Sequence, residues 1–221
     1  LEKGPTFQGR GSYQLKKIKA AMEFVPKKRV ALDIGAHVGT WSLALASYFG
    51  IVHAFEPVFR EFLRENTEHC PNISIYEFAL GNEDGVIGMD VATENSGNTR
   101  VVPPTKGLPE GWTPGNSYHR PPSSVESCKP IVTVHKLDTI AESRGIEYAD
   151  FIKIDVEGYE HDVILGAEKF INACKPVMVV EQKPGNSERY GRPRGSAVEL
   201  LKSWGATEVW SMSGDHCMRW K

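Results

Sequence analysis

Apolar positions along this chain follow two rhythms. Some are short unbroken runs rich in β-branched residues, as strands buried on both faces require, and others return every three or four residues, as one face of a helix does. Residues 12–25 carry Leu15, Ile18, Ala21, Met22 and Val25 at helical spacing and stop at Pro26, which predicts a lead-in helix within an N-terminal segment of residues 1–28. RVALDI follows as a first strand. Residues 40–49 form a first crossover helix with Trp41, Leu45 and Phe49 in line, Ala44 and Tyr48 beside them, and Gly50 at the cap. IVHAFE reads as the second strand, and the next helix turns Phe59, Phe62 and Leu63 inward. NISIYEFAL reads as the third, with a slip of alternation at Tyr76. PIVTVHKLDTI is a strand running into a short helix, FIKID a fourth core strand, 159–172 a helix, KPVMVVEQ a fifth strand and AVELLKSWG a helix. EVWSMSGDHCMRW closes the chain as two short strands around a Ser-Gly-Asp turn.

Strands alternating with helices predict an α/β fold around a mostly parallel sheet, with an antiparallel hairpin at its end. One stretch departs from this. Between residues 92 and 130 the periodicity fades, and half of the fourteen prolines fall between Pro103 and Pro130. So long a stretch without periodicity inside a compact domain is expected to be a functional loop, read here as a lid over the acceptor. The 221 residues fit one domain spanning 1–221.

Composition narrows the function classes. A net charge of −2 from 26 basic and 28 acidic residues gives no overall field for nucleic acid or an anionic membrane. No apolar run approaches a membrane span, and LEKGPTFQGR lacks the apolar core of a signal peptide, so the expectation is a soluble, cytoplasmic protein. Cys70, Cys128, Cys174 and Cys217 are far apart, without zinc-site spacing, and are read as inert thiols.

The candidate chemistry begins with Asp33-Ile-Gly35-Ala-His37-Val-Gly39, where a strand hands over to a helix at the sheet's ligand-binding edge. Gly35 is expected to let a ligand approach the backbone and Gly39 to let the helix lie close to the strand. A dinucleotide fingerprint needs glycine where His37 stands, so a pyrophosphate is disfavoured. Glu56 ends the second strand, placed as a carboxylate that accepts from ribose hydroxyls. Asp33 and Glu56 together suit a ligand with an ammonium group at one end and a ribose at the other, and S-adenosylmethionine is such a ligand. The alternative is a turn cap and a solvated strand end.

The stretch Asp155-Val-Glu157-Gly158-Tyr-Glu160-His161 ends the fourth strand, beside the first, and Glu181 ends the fifth. Transfer of the methyl group of such a ligand needs the acceptor atom held close and its proton removed during attack. Asp155, Glu157 or Glu181 could each be that base or fix the acceptor, and two of them together could hold a divalent cation such as Mg2+. The competing reading has Glu157 and Glu160 capping the next helix. His119 in the proposed lid and His216 in the hairpin are further candidates, while His53 reads as a packed histidine. Arg189, Arg192 and Arg194 could grip an anionic acceptor, and Trp112 could stack on a sugar ring.

The blocks ALDIGAHVGTWSLALA, VHAFEPVFREFLREN, FALGNEDG, VHKLDTI and FIKIDVEGYEHDVILGAEKFI resemble successive blocks of the FkbM family of S-adenosylmethionine-dependent methyltransferases. The resemblance runs from about residue 30 to 182 outside the proline-rich stretch, and IKIDVEGYE is its specific part. It implies a Rossmann-like class I fold with a mostly parallel seven-stranded sheet, and transfer to a hydroxyl of a sugar or related natural product. It also implies a cofactor site of Asp33, Gly35, Ala36, His37, Gly39, Glu56 and Pro57, with Ala79 and Leu80 against the adenine. The family usually has asparagine at His37. Rival readings are a nicotinamide oxidoreductase, a methyltransferase acting on nitrogen, RNA, DNA or protein, and a non-catalytic binding module.

Overall fold

The structure is a computed structural model that describes residues 10–92, 96–102 and 130–221. In chain order the elements are α1 (Arg10–Met22), β1 (Val30–Ile34), α2 (Thr40–Ala46), β2 (Ile51–Phe55), α3 (Arg60–Thr67), β3 (Ile73–Tyr76), β4 (Ala79–Leu80), β5 (Gly85–Asp90) and β6 (Arg100–Val101). There follow β7 (Ile131–His135), α4 (Leu137–Arg144), β8 (Phe151–Ile154), α5 (Glu160–Leu165), α6 (Glu168–Cys174), β9 (Val177–Glu181), α7 (Ser196–Ser203), β10 (Ala206–Met212) and β11 (Asp215–Trp220).

Seven strands form the main sheet in the order β10-β11-β9-β8-β1-β2-β3. β1, β2, β3, β8 and β9 run parallel, while β11 runs antiparallel to β9 and β10 to β11. Chain order reverses between β1 and β8, and an open α/β sheet has its ligand crevice at such a switch point. The unbroken apolar runs have the expected cause, since every residue of β1, β8 and β9 is buried. No described helix is long and apolar enough to cross a membrane.

Alternation along the central strands divides the core into two faces. Ala31, Phe151, Val177 and Val179 pack with Trp41, Leu45, Phe49 and Ile18 on one side. Leu32, Ile34, Ile152, Ile154 and Val180 pack with residues of α4 to α7 on the other. Phe151 anchors the first face, its ring centroid 6.3 Å from Trp41 and 6.0 Å from Phe49. The same period of two carries Asp33, Lys153 and Glu181 onto that first face at the carboxyl ends of their strands. Lys17 of α1 closes this buried polar row by pairing with Asp215 of β11.

Several local expectations are corrected. The third strand divides: β3 stays in the main sheet, while β4 joins a second sheet of order β4-β7-β5-β6. Ala79 and Leu80 therefore pair with Val134 and His135 rather than continuing β3. The helix expected over 159–172 is two, α5 and α6, because the chain turns at Gly166, where a Cβ would lie 1.8 Å from the Gly81 carbonyl oxygen. Leu15 and Phe62 are solvent-exposed, and Tyr48 is also exposed, because each helix buries a narrower stripe than its apolar residues could cover. The closing hairpin does form, turning at Ser213 and Gly214, both at positive φ. Cys70, Cys174 and Cys217 are free thiols.

Candidate active site

The carboxyl ends of β1, β2, β8 and β9 open into one cavity of about 420 Å3, roofed by the second sheet and by Ser96, Gly97, Asn98 and Thr99. Gln14 of α1 also lines it and accepts from Trp41 Nε1 at 3.1 Å.

One end of the cavity is built from backbone. Gly35 and Ala36 donate their amides to the Phe55 carbonyl at 3.0 and 3.1 Å, which ties the loop after β1 to β2. Glu56 is buried to 6% exposure, and its Oε2 accepts from the His37 amide at 2.9 Å. Its Oε1 accepts from the amides of Val58 at 2.8 Å and Phe59 at 3.0 Å. His37 holds a left-handed φ of 52°, with its Nε2 3.0 Å from Ser96 Oγ and its ring edge-on to Phe59. Burial lowers the His37 pKa although Glu56 opposes this, so the ring is held neutral. Phe78, Ala79, Leu80, Met89 and Val101 supply an apolar wall. Ala36, Pro57 and Phe59 complete this end.

The glycines also meet packing constraints beyond the roles expected of them, although Gly35 does line the cavity. A Cβ on Gly35 would sit 2.0 Å from the Asp155 carbonyl oxygen, so its bareness admits the loop after β8. Gly39, at φ +94°, would press a Cβ against Leu63 and Thr67 of α3, and it does not line the cavity. Asp33 does not line the cavity either. Completely buried beneath the loop, it accepts from Ser42 Oγ at 2.6 Å and faces Lys153 Nζ at 3.3 Å. Direct contact of Asp33 with a ligand ammonium is therefore not what this geometry offers, because a lysine already fills that role.

The other end is built from charged side chains. Asp155, Glu157 and Glu181 converge, one oxygen from each lying within 4.8 Å of the others. Lys183 Nζ reaches Glu181 Oε1 at 2.8 Å and Glu157 Oε1 at 3.3 Å. Asn186 donates to Glu157 Oε2 at 3.1 Å. Glu181 Oε2 is buried and has no hydrogen-bond partner. Burial and the neighbouring Asp155 push the Glu181 carboxyl up to about 9, against the pull of Lys183. Beneath them lies Lys153, donating to the Gly35 carbonyl at 2.7 Å and 3.8 Å from Asp155 Oδ2. Burial would lower this ammonium, but Asp33 and Asp155 hold it above its ordinary value.

The capping alternative applies to one acid and not the other. Glu160, in the first turn of α5, is buried and accepts from the amides of Val156 and Gly158 at 3.1 and 2.9 Å. Burial pushes its carboxyl up to about 7 despite those bonds. Glu157 turns into the cavity instead, at φ 54°.

Other candidates lie elsewhere. His216 faces Glu208 at 3.2 Å in the hairpin, and His53 packs against Tyr76, 3.1 Å from its hydroxyl. Arg192 pairs with Asp162 at 2.6 Å, and neither Arg189 nor Arg194 lines the cavity. Trp112 and His119 lie outside the described residues, as does most of the expected lid. Sequence reasoning missed Lys153 and Lys183. The signal for Lys153 was a lysine in an otherwise apolar buried strand, in register with Asp33 across β1. Lys183 had only its position two residues after Glu181.

The family model described as "Methyltransferase FkbM domain" matches residues 33–206. The solved structure of Methyltransferase FkbM from Methylobacillus flagellatus KT is 15% identical at a TM-score of 0.47, over 88% of this chain and 44% of that one. The chain thus spans less than half the length of that protein. The N-methyltransferase NodS from Bradyrhizobium japonicum WM9, solved in complex with S-adenosyl-l-homocysteine, gives a TM-score of 0.50 at 10% identity, over 99% of this chain and 91% of that one. An rRNA methylase from Streptococcus thermophilus gives 0.48 at 8% identity, over 98% and 100%. At 10% identity the likeness to NodS is one of fold. No curated protein sequence matches the chain significantly.

Proposed function

The chain belongs to the FkbM family of S-adenosylmethionine-dependent methyltransferases, and on that footing we propose that it methylates a hydroxyl of a sugar or another small natural product. The observation that carries this reading is a single cavity with a Glu56-anchored, apolar-walled end and a carboxylate-lined end. When bound, S-adenosylmethionine supplies a methyl carbon made electrophilic by its positive sulfur.

The residues of the first end fit that molecule. A carboxylate has about four acceptor positions, and three donors already occupy Glu56, which leaves room for one ribose hydroxyl on a side chain that cannot swing away. Phe78, Ala79 and Leu80 offer the apolar surface an adenine needs. His37, neutral and beside Glu56, can accept or donate at the loop without adding charge.

At the second end Asp155 orients the acceptor hydroxyl and takes its proton as the oxygen attacks. Its side chain is the most exposed of the three carboxylates, at 29%, and Lys153 beneath holds it in place. The new bond joins oxygen to methyl carbon, the bond from sulfur to that carbon breaks, and the proton remains on the carboxylate until solvent removes it. A divalent cation such as Mg2+ on the same carboxylates would make the hydroxyl more acidic. Three converging acids also disfavour a polyanionic nucleic-acid acceptor. Release of S-adenosylhomocysteine from a panel of sugars, polyols and amines tests the reaction, with calorimetric titration of S-adenosylhomocysteine beside it. Tight binding of NADH with no binding of S-adenosylhomocysteine would overturn the reading.

A further inference from the structure

We infer that Asp155, Glu157 and Glu181 form a site for a hard divalent cation and that the Lys183 ammonium is its internal competitor, occupying the site until the ion displaces it. This deepens the reading above and rests on it only in placing the acceptor at this end of the cavity.

Charge makes the first part of the case. Asp33, Asp155, Glu157 and Glu181 face two lysines, and Lys153 is shared between Asp33 and Asp155. Glu157 and Glu181 therefore share Lys183, with Asn186 as a second donor to Glu157. That lysine satisfies them poorly: it bonds one oxygen of Glu181 and one of Glu157, and leaves Glu181 Oε2 buried with no partner. A buried carboxyl oxygen without a partner is costly, and an ion that binds Glu181 displaces the proton this acid favours together with the ammonium. A metal ion differs from an ammonium in drawing several oxygens inward at once, because hard cations take six or more oxygen ligands.

Geometry agrees. Ligand oxygens lie about 2.4 Å from Ca2+ and about 2.1 Å from Mg2+, hence about 3 to 5 Å from one another, and the three acids already bring ligand atoms within 4.8 Å of one another. The lysine is free to leave, since its side chain is 45% exposed, whereas those of Glu157 and Glu181 are 13% and 8% exposed. A flexible four-carbon stem can carry its charge to solvent, while the acids stay where β9 and the loop after β8 hold them. An ion there would bind adjacent hydroxyls of a polyol and so select an acceptor with two neighbouring oxygens.

The test titrates Mn2+, followed by its electron paramagnetic resonance signal, and Ca2+, by calorimetry, into the full chain saturated with S-adenosylhomocysteine. Lys183→Ala is expected to bind either ion about tenfold more tightly than the unaltered protein, and Glu181→Gln at least tenfold more weakly. Asp155→Asn serves as a second acid variant should Glu181→Gln fail to fold, and S-adenosylhomocysteine affinity reports folding in each. Ion affinity unchanged by Lys183→Ala overturns the competition, and absence of binding in both proteins overturns the site. Methylammonium binding in place of either ion would also overturn it, in favour of an amine acceptor. Loss of S-adenosylhomocysteine binding by the unaltered protein would instead count against the methyltransferase reading.

Discussion

The two ends of the cavity are made differently. At the Glu56 end the donors are main-chain amides, and every oxygen of the acid is engaged before a ligand arrives. At the Asp155 end the groups are side chains, a partly exposed lysine stands between two acids, and one buried oxygen has no partner. The first is finished without its ligand and needs no reorganisation to bind. The second is balanced by Lys153, Asn186 and Lys183, and of these only Lys183 is exposed enough to turn to solvent. On the proposed reading, rigidity suits the end that would take the cofactor, and charge completed by the guest suits the end that would take the acceptor.

Substitutions can break or sharpen that contrast. Asp155→Asn should have the largest effect, slowing turnover by about 10²- to 10⁴-fold while S-adenosylhomocysteine affinity stays within a few-fold, checked by single-turnover kinetics and calorimetry. Equal loss of both would show that the two ends are not separable. Glu56→Ala should do the reverse. It leaves three amides without their acceptor and should cost about 2–3 kcal/mol of S-adenosylhomocysteine binding, with acceptor KM little changed.

Glu160→Gln addresses the loop that carries the acceptor acids. A carboxyl raised to about 7 in the fold, from 4.5, favours folding fully below the lower value. That contribution is lost as pH rises through about 7, because the unfolded chain gives up the proton more readily. The Gln variant should therefore gain melting temperature relative to the unaltered protein at pH 8 and little at pH 5, by thermal unfolding. His37→Asn should be smallest, within about threefold in S-adenosylhomocysteine affinity at pH 7.5, since a ring held neutral is replaced by another neutral polar group.

The frame of this fold was legible where the local pattern and the tertiary environment agree. VALDI, FIKI and VMVVE are buried on both sides and read as apolar runs interrupted only by Asp33, Lys153 and the terminal Glu181. The third strand was not, because Phe78, Ala79 and Leu80 continue the apolar pattern past Tyr76, and nothing local records that β7 captures them. The site was legible as a set of residues: Gly35, Ala36, His37, Glu56, Pro57, Ala79, Leu80, Asp155, Glu157 and Glu181 all line one cavity. Roles were less legible. Asp33 looked like a ligand contact because an acid at a strand end marks the crevice, yet side-chain alternation turns it under the loop toward Lys153. Period two tells which face a residue takes, and strand register tells what it meets there; only the first is written locally.

Gly35 and the Asp155 carbonyl touch so closely that a single methyl would not fit between them, and Lys153 bridges the same two loops from below. The loop after β1 and the loop after β8 therefore constrain one another, and any side chain added at Gly35 would displace the backbone that carries Asp155.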